Sequence, residues 1–145
     1  MFTPFAYPKS RFEPSPLIDL NDAAERERLS PPAIKAFFNI MDRWRIKDAE
    51  ARELLGGISN GVFYEMKKNP ERVLDTDRLT RISLLIGIFK SLNILYPDDL
   101  ADSWVNLPNK NRLFKGATPL RYMLQGGQAA MAIVRRLVDA RRGGH

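Results

Sequence analysis

The residues in this chain best equipped for chemistry are cations, and the chemistry open to them is the binding of anions. Residues 81–145 hold ten basic side chains (Arg81, Lys90, Lys110, Arg112, Lys115, Arg121, Arg135, Arg136, Arg141, Arg142) against four acidic ones. Residues 1–80 hold thirteen of each, so the whole formal charge of +6 lies in the C-terminal half. Such a surplus favours anionic partners without identifying them. On an exposed helix face, charge alone is more often simply solvated.

Catalytic and metal chemistry have little to work with. The chain has no cysteine, and its single histidine is the terminal His145. A zinc site needs roughly four nitrogen or sulfur ligands, so no protein-supplied metal centre is expected, and disulfides are impossible. The carboxylates show no signature spacing, and nucleophile elbow, P-loop and dinucleotide fingerprint are all missing. Gly126-Gly127 has neither the preceding strand nor the Lys-Ser/Thr ending of a phosphate loop, so it reads as helix punctuation. No enzymatic activity and no cofactor are expected. The first sixteen residues carry four prolines and no apolar core, so no signal peptide is expected. The longest apolar stretch, Ile82–Phe89, falls far short of the ~20 residues that span a bilayer. The expected location is the cytoplasm.

The elements that would position these cations all read as helices. Residues 1–18 are Pro-rich with scattered aromatics and suggest an extended arm, followed by a short charged helix over 19–29. Ser30-Pro31-Pro32 looks like a helix start, with Ile34, Phe37, Phe38, Met41 and Trp44 on one face. A second helix over about 47–55 turns Ala51, Leu54 and Leu55 inward and breaks at Gly56-Gly57. Ser59 can cap a third helix ending at Asn69-Pro70. Thr76 can cap a long one over 77–95, with Ile82, Leu85, Ile86, Phe89 and Leu92 as an amphipathic stripe. Pro97-Asp98-Asp99 and Thr118-Pro119 open two more. The last helix, about 128–142, buries Met131, Val134, Leu137 and Val138 and places Gln128, Arg135, Asp139 and Arg142 on the opposite, outer face. The fold class is all-α.

Two short helices around a glycine turn make a candidate helix-turn-helix, in which the second helix lies in the major groove. Ser59, Asn60 and Gly61 at its start would face bases or phosphates, with Tyr64, Lys67 and Lys68 on the backbone. This recognition helix carries Glu65 and no arginine, although arginine is the commonest specific base reader. The apolar supply of the 31–44 and 77–95 helices looks large for one small domain, which suggests a homodimer.

The order of residue types beyond Trp104 is distinctive. It runs Trp104-Val-Asn-Leu-Pro108-Asn109, Leu113-Phe114-Lys-Gly116-Ala-Thr118-Pro119-Leu120, Met123-Leu124-Gln-Gly126-Gly127 and Val134-Arg135-Arg-Leu137-Val-Asp-Ala140-Arg141-Arg-Gly143-Gly144. That succession resembles the C-terminal toxin-binding domain of the MbcA/ParS/Xre antitoxins. Ala51-x-x-Leu54-Leu55-Gly56-Gly57-x-Ser59 resembles the same family's helix-turn-helix, although relatives tend to carry Arg and Trp near Glu65 and Met66. The resemblance leaves the flexible Pro-rich arm over 1–30 outside it and implies an Xre-like helix-turn-helix region over 31–95 and a toxin-binding domain over 96–145. It implies an antitoxin whose partner is a RES-domain toxin that degrades NAD, and an assembly that binds and represses the shared promoter. The toxin-binding residues it implies are Arg121, Gln128, Arg135, Asp139, Arg141, Arg142, Gly143 and Gly144. A stand-alone helix-turn-helix regulator is the alternative, and an adaptor with a basic half a weaker third.

Overall fold

Helix α4 (Thr76–Leu95) runs through the middle of the molecule because its sequence is apolar nearly all round. The computed structural model describes residues 19–143; the expected arm over 1–18, Gly144 and His145 lie outside them. Before α4 come α1 (Ala23–Arg43), α2 (Asp48–Leu54) and α3 (Asn60–Lys68). After it come α5 (Asp98–Ser103), two short 3-10 turns (Trp104–Asn106 and Arg112–Phe114) and α6 (Pro119–Arg142). Strands are absent among the described residues, so the all-α reading holds. No helix of the described residues is long and apolar enough to cross a membrane.

The single stripe expected on α4 is corrected. Leu79, Ile82, Leu85, Ile88 and Leu92 are buried together with Gly87 and Ser91, which lie on another side of the helix. Beyond the first turn only Ser83, Lys90 and Ile94 are exposed. The reason is that α4 packs against α1, α5 and α6 at once. Most of the apolar surface of α4 is packed inside one chain, with Ile94 left exposed.

Helix α1 departs from expectation at its start. It begins at Ala23, capped by Asp22 accepting from the Ala24 amide at 3.0 Å, and runs unbroken through Pro31 and Pro32. The prolines withhold N–H donors from the carbonyls four residues back. Those carbonyls belong to Glu27 and Arg28, both exposed, where water can satisfy them. Ser30 is therefore not a cap. Fully buried, it donates to the Arg26 carbonyl at 2.6 Å and accepts from the Leu74 amide at 2.9 Å. The cap of α4 is likewise one residue earlier than expected: Asp75 accepts from the Arg78 amide at 2.8 Å. The Thr76 hydroxyl instead donates to the Leu20 carbonyl at 3.0 Å and fastens the chain ahead of α1.

Ser30→Ala should cost about 1–3 kcal/mol, because it strands a buried Leu74 N–H without its acceptor. Denaturant unfolding followed by circular dichroism checks this. A variant with the wild-type midpoint would show that the Leu74 amide finds another acceptor.

Candidate functional site

The first surface is built by α2 and α3. Ala51, Leu54 and Leu55 are buried against the core and fix α2. Gly56 (φ 92°) and Gly57 (φ 86°) then take two successive left-handed conformations that side chains resist. They turn the chain as the Gly56 and Gly57 amides donate hydrogen bonds to the Glu53 and Arg52 carbonyls, each at 2.9 Å. Ser59 caps α3 as expected, accepting from the Val62 amide at 3.2 Å. Phe63 and Met66 bury the inner face of α3. The opposite face presents Gly61, Tyr64, Glu65 and Lys68, all exposed.

The structure divides the expected DNA-contact residues into two groups. Ser59, Asn60 and Gly61 are exposed together at the start of α3, and Lys68 is exposed on its outer face. Tyr64 and Lys67 are engaged by neighbours. The Tyr64 hydroxyl donates to Asp48 at 2.9 Å, which raises the phenol above its ordinary value. The Lys67 ammonium sits 5.9 Å from the centre of the Phe38 ring on α1. Between Lys47 and Arg78 the chain carries six cations (Lys47, Arg52, Lys67, Lys68, Arg72, Arg78) and seven carboxylates (Asp48, Glu50, Glu53, Glu65, Glu71, Asp75, Asp77). The segment around α2 and α3 thus has no positive surplus of its own.

The second surface is built by α6. Thr118 caps it, accepting from the Arg121 amide at 3.0 Å, and Gly127 (φ 64°, ψ −145°) breaks it where the sequence suggests. Met123, Met131, Val134 and Val138 are fully buried, while Leu137 is only partly so. The outer-face placement of Arg135 and Asp139 is corrected, because both are partly buried along α4, whereas Arg142 is exposed and only approaches it. Ser83, Gly87 and Ser91 recur along α4 every four residues as small positions. A Cβ on Gly87 would collide with the Arg135 guanidinium. Arg135 pairs with Asp139 at 3.3 Å and reaches the Ser83 carbonyl at 3.5 Å. The Ser91 hydroxyl donates to Asp139 at 2.5 Å and accepts from Arg142 at 3.5 Å.

The other expected partner-binding residues are distributed along the helix. Arg121 is exposed near its start, Gln128 is partly buried just after the break, and Arg141 is partly buried near the end. Arg142 and Gly143 are exposed, and Gly144 lies outside the described residues.

One residue that joins the two surfaces has only a weak sequence signal. Arg81 pairs with Asp77 at 3.0 Å and reaches the Leu54 carbonyl at the end of α2 at 3.4 Å. Its guanidinium also lies 3.8 Å from where a Cβ on Gly127 would stand. The one sequence mark is the i, i+4 spacing of Asp77 and Arg81.

Comparison with known proteins matches this arrangement in tandem. Residues 22–87 match the antitoxin Xre-like helix-turn-helix domain. Residues 91–144 match the antitoxin Xre/MbcA/ParS C-terminal toxin-binding domain. A protein of Sinorhizobium fredii (strain NBRC 101917 / NGR234), described as uncharacterized protein y4oB, is 38% identical over 115 residues, which is 79% of this chain and 87% of that protein. No solved structure matches the chain. With a helix-turn-helix ahead of the central helix and a toxin-binding segment after it, the chain belongs to the Xre/MbcA/ParS antitoxins of type II toxin–antitoxin pairs.

Proposed function

We propose that this antitoxin neutralises a RES-domain toxin that degrades NAD, by covering the entrance to its active site. The observation that carries this reading is the end of α6. Its last fully buried side chain is Val138, and the chain then continues through Arg141, Arg142 and Gly143 inside the segment matched to a toxin-binding domain. Arginines there can pair in bidentate fashion with carboxylates at a pocket rim, and glycine lets the main chain approach closely. Inhibition is then steric, with antitoxin groups filling space the dinucleotide needs.

The same reading has the antitoxin–toxin assembly repress the shared promoter in the cytoplasm, with two copies of the antitoxin on paired half-sites. An assembly suits the charge balance around the recognition helix. Six cations against seven carboxylates over residues 47–78 leave that segment little electrostatic attraction to DNA by itself. The test is co-expression with the product of the neighbouring gene, which this reading expects to be a RES-domain protein. The two should co-purify, and the antitoxin should stop NAD consumption at equimolar ratio. Failure to form a complex would overturn the reading.

A further inference from the structure

We propose that the loop over residues 108–116 is a binding site for the phosphate backbone of DNA, separate from the recognition helix. The proposal rests on the DNA-binding part of the reading above and locates where its electrostatic affinity comes from. Asn109, Lys110, Asn111, Arg112, Lys115 and Gly116 line one concavity of about 370 Å³. Lys110, Arg112 and Lys115 are all exposed, and none pairs with a carboxylate among the described residues. Acids are also distant in sequence. Between Asp102 and Asp139 lie thirty-six residues with six cations and no carboxylate.

The loop is held rigidly enough to aim these groups. Asn109 accepts from the Asn111 amide and Asn111 from the Leu113 amide, each at 2.9 Å. The Asn109 amide closes the loop on the Ala117 carbonyl at 3.1 Å. Buried Phe114 meets Trp104 and Tyr122 edge-on, with ring centres 6.1 and 5.4 Å away. Lys115 (φ 50°) is left-handed although it is not glycine, a conformation that carries a cost and is kept where the surroundings enforce it. With both asparagine oxygens used internally, each side chain keeps its NH2 group as a donor. Lysine, arginine and amide donors are the set that contacts phosphate. The segment over residues 47–78 lacks any surplus of this kind, so sequence-independent attraction to DNA falls to cations outside it.

The test replaces Lys110, Arg112 and Lys115 together by alanine in the full chain, in complex with its toxin. Binding to duplex DNA from its own promoter, and to unrelated duplex, is measured across a range of salt. The log–log salt slope should become shallower by about two to three units for both duplexes, at roughly 0.9 for each phosphate no longer neutralised. A control lacking Lys35 and Lys90, exposed cations on α1 and α4, should keep the wild-type slope. An unchanged slope in the triple variant, or an equal loss in the control, overturns this site while leaving promoter binding intact. Loss of toxin affinity at unchanged slope overturns it in favour of an acidic protein surface. Absence of DNA binding by the wild-type complex overturns both this site and the DNA reading.

Discussion

Cutting the chain after Leu95 is expected to abolish cooperative folding of the helix-turn-helix segment. The cut removes Ala101, Trp104, Val105, Phe114, Leu120, Met123, Met131, Val134 and Val138, which share one buried cluster with α1, α2 and α4. Fully burying a large apolar side chain stabilises by about 1.5–3 kcal/mol. Their loss uncovers the apolar faces of α1 and α4, in a domain whose whole net stability is only about 5–15 kcal/mol. The cut also strips α4 of α6, its main packing partner, and removes Asp102, the 2.9 Å partner of Arg43 on α1.

The complementary expectation concerns the full chain. The two family matches meet between residues 87 and 91, in the middle of α4, so that junction should not be a folding boundary. Trp44 reports on the first half and Trp104 on the second, and both are buried. Fluorescence of single-tryptophan variants and far-ultraviolet dichroism should trace coincident unfolding curves, as one two-state unit requires. A sharp melt from the fragment ending at Leu95, or separate transitions for the two tryptophans, would show that the halves fold independently.

Much of this architecture is legible in the sequence because local signals agree with the packing. Ser59, Thr118, Gly56-Gly57 and Gly127 mark element ends through backbone chemistry that acts within a few residues. Those marks survive in the structure. What the sequence hides is set by distant neighbours. Pro31-Pro32 imitates a helix start, yet Ser30 is drawn into the interior by the Leu74 amide forty-four residues away. The apolar stripe of α4 is legible, but not that Gly87 and Ser91, off that stripe, are buried as well. They read as ordinary small or polar positions until α6 lies across them with Arg135 and Asp139. The candidate sites divide the same way. The exposure of Asn60 and Lys68 follows from helical spacing, whereas the engagement of Tyr64 by Asp48 and of Arg135 by α4 depends on tertiary contacts with no sequence period.

Deleting residues 141–145 should cripple neutralisation of the toxin and leave the fold almost untouched. Its described residues contribute no fully buried apolar side chain, since burial along α6 ends at Val138. Within the described residues its tertiary hydrogen bond is the 3.5 Å approach of Arg142 to Ser91, and its helical turn is closed by the Gly143 amide on the Asp139 carbonyl at 2.9 Å. The drop in stability should therefore stay within about 1 kcal/mol, the scale of one partly exposed hydrogen bond. Removing one partner of a buried charge pair at a protein interface costs about 2–5 kcal/mol, which is a loss of roughly 30-fold or more in affinity. Thermal melting of the truncated chain, beside an NAD-consumption assay with the partner toxin, separates the two effects. Arg135 and Asp139 sharpen the comparison, because both are already committed to α4. If they form the contact surface, toxin binding must first break their bonds to Ser83 and Ser91, and Ser91→Ala should then strengthen binding. If the tail is the plug, Ser91→Ala should leave binding unchanged. A truncated chain that still blocks NAD loss fully at equal concentration would exclude the tail and move the occluding surface to residues 104–125.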